Sequence, residues 1–544
     1  MRSVFRIAAA ACAAIAVLPT QSQAGSVDWP SYNRTLLGER FAPLREIDAE
    51  TVRRLHVICK FDSGEVTGFE SGLVEVGGAI YFSSEHDTYS IGANDCRENW
   101  RVHEEFKSTN VFRASRGVAY FDGRIFRGTN DGRVLAYDAR SGKRLWATEI
   151  GDPRKGESVP SAPIAWNGIV FSGIAGSETR GVKGRVYALD AESGKIIWEF
   201  YLVPREAGDK PRGPNPPELP AWFRQSWQLP EGFQITGGGT WTSFTLDPRT
   251  GSLFVPVGNP APVFDRRDRG GDNLFTNSIL VLDAKTGAYK KHFQLLARDF
   301  HDWDVNSPPI LYTGKSGPTI MAEAPKDGFL YGYDLTSGKR LFRVAATTIE
   351  NADVPLSQDG VHFCPGLNGG AEWNGPAFDP TSNLVFTGEV DWCARVTLTD
   401  PDTTRRTRVG DTWAGSIGFG QMDEPFGSYW RRLIGGSWAG WLTAFDGTTG
   451  AQKWRVQTVF PIVGGVTSTA GGLVLFGDLG GNFYVLDSST GNLLWRQDLG
   501  APIGGGVVAY DTGAGERVAV AAGLTSPIWR TNTNTAKIIV LGVR

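Results

Sequence analysis

The chain has 544 residues, of which 41 % are hydrophobic and 21 % charged, with a formal net charge of −3. Those proportions describe a folded chain with a sizeable core and exclude a disordered or collagen-like one. A mildly acidic balance gives no electrostatic ground for binding nucleic acid or anionic membranes.

At the N-terminus, Arg2 and Arg6 precede an apolar run from Ile7 to Leu18, and Ser22, Gln23 and Ala24 offer small residues for cleavage. That layout predicts a secretory signal over residues 1–24, with an apolar core too short to span a bilayer. The mature unit is then 25–544; it loses two arginines and no acid, which takes its charge from −3 to −5. No later stretch is long and apolar enough to cross a membrane. With Cys12 removed, Cys59, Cys96, Cys364 and Cys393 remain. Four cysteines in an exported chain predict two disulfides with three possible connectivities, and proximity favours Cys59–Cys96 and Cys364–Cys393. No CxxC-type spacing suggests a metal cluster, and no CxxCH attaches a c-type haem to this polypeptide.

From residue 90 onward one phrase recurs: an apolar residue, Asp, Ser or Thr, Gly, then an aromatic four to six positions later. A degenerate copy, SIGANDCRENW, ends at Trp100. Clear copies are AYDARSGKRLW (Trp146), ALDAESGKIIW (Trp198), VLDAKTGAYKKHF (Phe293), GYDLTSGKRLF (Phe342), AFDGTTGAQKW (Trp454) and VLDSSTGNLLW (Trp495). Each reads as a strand, a tight Asp–Gly turn and a returning strand whose aromatic packs sideways. A further strand pair precedes each copy, so the unit holds about four strands, and a spacing of about 40–50 residues is that of propeller blades. Two larger gaps, Asp190 to Asp283 and Asp334 to Asp446, hold insertions that include PRGPNPPELP and GVHFCPGLNGG. Seven anchors predict seven blades, and an eighth is expected where LHVICKFDSG meets the C-terminal AKIIVLGVR. The fold expected is an all-β, eight-bladed propeller, with its chemistry on loops near the axis.

The repeats resemble the tryptophan-docking motifs of the pyrroloquinoline quinone (PQQ)-dependent alcohol dehydrogenases, over essentially the whole mature chain. Four stretches carry the resemblance. In GIAGSETRGVKGRVYALDAESGK, Glu178 falls on the family's metal-binding glutamate. In ITGGGTWTSFTLDPRTGSLFVPVGNPAPVFD, Trp241 matches the indole floor beneath the flat quinone, and Asn259 the second metal ligand. A planar cofactor suits a rigid aromatic face. In DFHDWDVNSPPIL, Asp302 falls on the catalytic aspartate, a carboxylate base for the alcohol proton, which also binds the metal. Asp304 lies two residues on, on the same face if the segment is extended, at the offset of the extra ligand of lanthanide-using members. An alternative alignment gives Asp304 the catalytic role. In APKDGFLYGYDLTSGK, Lys326 resembles the cation that contacts the quinone oxygens, where some members have Arg. Glu70 and Arg116 resemble the pair that holds the cofactor carboxylates.

The chain departs from the pattern twice. Asn110 and Val111 stand where many members place adjacent cysteines over the quinone, and Glu372, in GGAEWNGP, stands where many carry Asn. The Cys364 and Cys393 pair resembles the family's disulfide. The resemblance implies a periplasmic dehydrogenase that oxidises an alcohol to an aldehyde or ketone, using PQQ and one lanthanide or calcium ion. A soluble cytochrome c is the electron acceptor it implies. An aldose or polyol dehydrogenase with the same cofactor, or a non-catalytic propeller scaffold, are the alternatives.

Overall fold

The computed structural model describes residues 26–106, 114–314, 317–422, 439–526, 528–529 and 531–544. The expected signal segment, Asn110 and Val111 lie outside them. Eight antiparallel sheets, each built on four strands, form an eight-bladed β-propeller. Blade 1 comprises Val74–Val76, Ala79–Ser83, Asp87–Gly92 and Glu98–His103. Blades 2 to 7 follow in chain order within 118–149, 164–201, 245–294, 310–345, 370–458 and 467–498. Blade 8 joins Val507–Asp511, Glu516–Ala522 and Lys537–Gly542 to His56–Asp62, which pairs antiparallel with the last of them. This is the closure expected from the two chain ends.

Burial explains the strand sequences. Glu516–Ala522 is buried throughout, as an inner strand covered on both faces must be, whereas the outermost Leu493–Asp498 is half-exposed. Arg40 laces blades 7 and 8 from the inside: Nε donates to the Val466 carbonyl at 2.7 Å and an Nη donates to the Val507 carbonyl at 3.4 Å. Disulfides Cys59–Cys96 and Cys364–Cys393 are both present, and the first ties the outer strand of blade 8 to blade 1.

The recurring Asp–Gly turns join strands three and four of a blade. In blade 2, Asp138 Oδ1 accepts from the Ser141 N–H and hydroxyl, and Gly142 turns the chain at φ 71°. That glycine abuts Trp100 of blade 1, whose indole N–H donates to the Ala139 carbonyl at 3.0 Å. Trp146, Trp198 and Trp454 make the same bond to Ala191, Ala284 and Ser488 of the following blade, at 3.2, 3.1 and 3.1 Å.

Alternation of strand direction sends the other two kinds of connection, strand two to three and blade to blade, to the opposite rim. Glu178, Asn259 and Lys326 lie in the two-to-three connections of blades 3, 4 and 5. Glu70, Arg116, Trp241, Asp302 and Asp304 lie in blade-to-blade connections, and Glu372 lies between Gly370–Ala371 and Ala377–Asp379, the two short segments that open blade 6. All therefore emerge on one rim, as does the insertion between Tyr201 and Thr245. Among the described residues no helix is long and apolar enough to cross a membrane.

Candidate functional site

Two cations flank Trp241. The Arg116 guanidinium carbon lies 4.5 Å from the centre of its ring and the Lys326 ammonium 5.4 Å, within reach of the indole quadrupole. Arg116 also donates to the Trp241 carbonyl at 3.1 Å, pairs with Glu70 at 2.7 Å and stands 5.2 Å from the Trp373 ring. Burial pushes the Glu70 carboxyl above its ordinary range, and Arg116 opposes the shift.

On the other side of Lys326 is an acid pair. Its Nζ lies 3.0 Å from Asp304 Oδ2 and 3.5 Å from Asp302 Oδ2. Burial alone would lower the ammonium's proton affinity, but the facing Asp302, Asp304 and Glu372 outweigh it and hold Lys326 charged. Asp304 Oδ1 accepts the Asn259 backbone N–H at 2.8 Å. Asp302 is pushed well up by burial; Lys326 opposes this, and the charges of Asp304, Glu178 and Asp299 add to it. Burial first, then Asp304, pushes Glu178 up to about 7, with Lys326 opposing.

The loops can approach this closely because small residues stand at their crossings. A Cβ on Gly258 would fall 2.5 Å from Asp304 Oδ1, and one on Gly239 would fall 2.6 Å from Ser177 Oγ, next to Glu178. The Gly258 N–H in turn donates to the Gly239 carbonyl at 2.8 Å. Glycines in TGGGTW and VGN thus let the loops carrying Glu178, Trp241 and Asn259 meet at one point.

The acid segment differs from the extended reading. Asp302 has φ 67°, in the left-handed region where a residue with a side chain is strained, and 301–304 is not a strand. Asp299 holds this conformation: its carboxylate accepts the His301 N–H at 3.2 Å and the Trp303 N–H at 3.1 Å. Asp302 and Asp304 reach the same ammonium through this turn, without the alternation of a strand.

The family described as PQQ, glucose/ethanol/alcohol dehydrogenase β-propeller domain, matches residues 29–359 and 348–518. The chain belongs to the PQQ-dependent alcohol dehydrogenase family. The quinohemoprotein alcohol dehydrogenase ADH IIB of Pseudomonas putida is 31 % identical over 538 residues, covering 93 % of this chain and 75 % of that protein. Of a second relative from that organism, quinohemoprotein alcohol dehydrogenase ADH-IIG, the chain spans only 66 %, at 30 % identity over 488 residues, or 84 % of this chain. A lanthanide-dependent methanol dehydrogenase of Methylacidiphilum fumariolicum (strain SolV) is 26 % identical over 495 residues, 84 % of this chain and 78 % of that one. The solved structure of a europium-containing methanol dehydrogenase superposes with a TM-score of 0.83 at 23 % identity, covering 96 % and 99 % of the two chains, which is a likeness of fold.

The residues gathered here suit a cation and a flat anionic group. Asn259 Oδ1 and Asp302 Oδ1 are buried and accept no hydrogen bond among the described residues, a costly state that a bound cation relieves. Glu178 and Asp304 stand in the adjoining loops as further oxygen groups, the kind that hard cations take. For a flat anionic cofactor there is the half-buried face of Trp241 with Arg116 and Lys326 beside it. Two groups that sequence reasoning passed over stand close by, Thr240 beside Trp241 and Ser161 in the connection between blades 2 and 3. The hydroxyls of Ser161, next to the Pro160 carbonyl that accepts the Arg116 N–H, and of Thr240 are buried without a partner among the described residues. Thr240 could have been noticed beside Trp241; nothing local marks Ser161.

Proposed function

We propose that this chain is an exported, periplasmic dehydrogenase that oxidises an alcohol to an aldehyde or ketone with PQQ and one metal ion. The observation that carries this reading is the position of Lys326, which faces the Trp241 ring at 5.4 Å and the Asp302–Asp304 pair at 3.5 and 3.0 Å. One cation thereby links an aromatic platform to a carboxylate base.

When bound, PQQ supplies the electrophilic quinone carbonyl that accepts hydride. Trp241 would be the platform for its ring system. Arg116, held by Glu70 at 2.7 Å, would grip its carboxylates, and Lys326 would place a positive charge beside the quinone oxygens. Glu178, Asn259, Asp302 and Asp304 would hold the cation, which would supply Lewis-acid polarisation. Asp302 would take the alcohol's hydroxyl proton, on a carboxyl that burial makes basic and that Lys326 faces from 3.5 Å. The cation is a lanthanide or calcium, and the extra carboxylate of Asp304 favours the higher charge. Electrons leave to a separate acceptor, for which a soluble cytochrome c is the candidate.

Reconstituting the purified chain with PQQ and either Ca²⁺ or La³⁺, then supplying alcohols with a dye acceptor, tests the reading. Turnover of alcohols is expected. Absence of turnover with both metals would overturn it. The N-terminal mass of protein recovered from the periplasm, expected to begin after Ala24, tests export.

A further inference from the structure

We propose that an insertion of blade 6 sets the position of Glu178 from three blades away, and that Arg180 is the positioning residue through which it does so. The inference rests on the reading of Glu178 as a metal ligand. It adds a residue that holds neither the ion nor the quinone.

Residues 392–422 belong to the connection between strands Leu384–Asp391 and Ala439–Asp446 of blade 6, on the same rim as the site. Asp400 caps the short helix Pro401–Arg406 there by accepting the Thr403 N–H at 2.9 Å. Past the helix, the chain forms a ladder against the blade 3 loop that carries Glu178. The Gly410 N–H donates to the Arg180 carbonyl at 2.9 Å, the Arg180 N–H to the Asp411 carbonyl at 2.9 Å, and the Trp413 N–H to the Glu178 carbonyl at 2.7 Å. On its other edge the same segment meets the stretch that follows Asn259. The Val263 N–H donates to the Trp413 carbonyl at 3.0 Å, and the Phe264 N–H to the Ala414 carbonyl at 2.9 Å. The main chain of Trp413 is therefore wedged between the loops of Glu178 and Asn259, and its two bonds fix how far apart they stand.

Arg180 holds this insertion down. A helix leaves its last carbonyls without partners, and its C-terminus favours a cation. The Arg180 guanidinium, reaching over from blade 3, meets both needs: its Nη1 donates to the Arg405 carbonyl at 2.7 Å and to the Thr407 carbonyl. The Trp413 indole N–H donates to the neighbouring Thr404 carbonyl at 2.8 Å. The guanidinium carbon also lies 4.5 Å from the centre of the Trp413 ring and 5.8 Å from that of Phe233, so the cation packs against the indole it helps to seat. Little slack is left at the crossing. A Cβ on Gly181, at φ 96°, would fall 2.9 Å from Val409 Cγ1, and one on Gly415, at φ 76°, would fall 2.5 Å from Asp265 Cβ. Without the guanidinium the helix end loses two bonds and the Trp413 ring loses its cation, so the ladder on the Glu178 carbonyl loosens. Asp302 and Asp304 are held by Asp299 and Lys326 instead, and keep their places.

The test is titration of the full chain with Tb³⁺, read for affinity and for luminescence lifetime in H₂O and D₂O, which counts the waters on the ion. Near-UV circular dichroism checks that each variant is folded. Arg180→Met keeps the reach and removes the donors. It is expected to bind Tb³⁺ about tenfold more weakly than wild type, with about one more water on the ion because Glu178 is out of place. Arg180→Lys, a cation able to reach the same carbonyls, is expected to recover most of both. Arg408→Ala, on the exposed side of the same insertion, should change neither. In a Glu178→Gln background, Arg180→Met should add little, since its effect passes through that carboxylate. Wild-type affinity and lifetime in Arg180→Met, an equal loss in Arg408→Ala, or full additivity with Glu178→Gln would overturn the role of Arg180 and leave the metal reading intact. A wild type that binds no Tb³⁺ would overturn both.

Discussion

Lys326 is joined to Asp304 twice: its ammonium lies 3.0 Å from Oδ2, and its backbone N–H donates to the Asp304 carbonyl at 3.2 Å. The main-chain bond locks a turn of blade 5 to the connection that precedes it, so the ammonium is held against the acid pair by the fold itself. Replacing it with a neutral side chain of similar length leaves Asp302 and Asp304 facing each other uncompensated. Lys326→Met is expected to lower kcat by about 10²–10³-fold, the range for losing one preorganised electrostatic group. Lys326→Arg should recover part of it. Steady-state kinetics on PQQ-loaded enzyme measures this, and a kcat equal to wild type in Lys326→Met would remove the residue from the reaction.

Asp304 carries two duties at once, since Oδ1 accepts the Asn259 N–H while Oδ2 faces Lys326. Its loss should both remove a ligand and release the Asn259 loop. Titration with Tb³⁺, read as tryptophan-sensitised luminescence, is expected to show affinity reduced at least about tenfold in Asp304→Ala. Lanthanide-dependent turnover should be lost with it. Unchanged Tb³⁺ affinity would exclude Asp304 as a ligand.

How much of this was legible in the sequence follows from which contacts are local. The Asp138 to Gly142 turn and its five siblings write their own geometry within five residues, so blade number and order could be read directly. Trp241, Asn259 and Asp302 were singled out through stretches whose residue types are distinctive. The left-handed backbone at Asp302 was not legible, because it depends on the Asp299 carboxylate gathering two N–H groups. Nor was the meeting of Gly239 with Ser177, or of Gly370 with Lys326. These crossings join loops of different blades at separations of a few ångströms, and no local pattern encodes them.

The docking turns offer a stability test with an internal control. Gly142 and Gly123 have φ of 71° and 73°, but a Cβ on Gly142 would fall 2.8 Å from the Trp100 ring, whereas one on Gly123 meets nothing within 4 Å. Gly123→Ala should therefore cost only the backbone term, about 1–2 kcal/mol. Gly142→Ala adds displacement of a buried indole and should cost about 2–4 kcal/mol. Urea midpoints for the two variants, compared at constant m-value, measure the difference. Equal costs would mean that Trp100 is not seated on this glycine.

A buried acid outside the site gives the fold a pH dependence of calculable sign. Glu75 is fully buried; its Oε1 accepts the Gly78 N–H at 2.8 Å, and its Oε2 has no hydrogen bond among the described residues. Burial pushes it up from 4.5 to about 7, with the Gly78 N–H opposing and Asp28 adding. The folded chain therefore binds the proton more tightly than the unfolded one. The stabilisation this confers is complete below about pH 4.5, where both forms are protonated, and is lost as pH rises towards 7. Above 7 the folded state carries an ionised carboxylate at full desolvation cost. A shift of this size corresponds to about 3 kcal/mol between pH 4.5 and 8. Glu75→Gln keeps the acceptor for Gly78 and cannot ionise, so its stability should lack that component. The gap between the two proteins, taken from denaturant unfolding at each pH, is expected to move in favour of Glu75→Gln by about this amount over the interval. A gap that stays constant with pH would show that Glu75 titrates alike in the folded and unfolded chain.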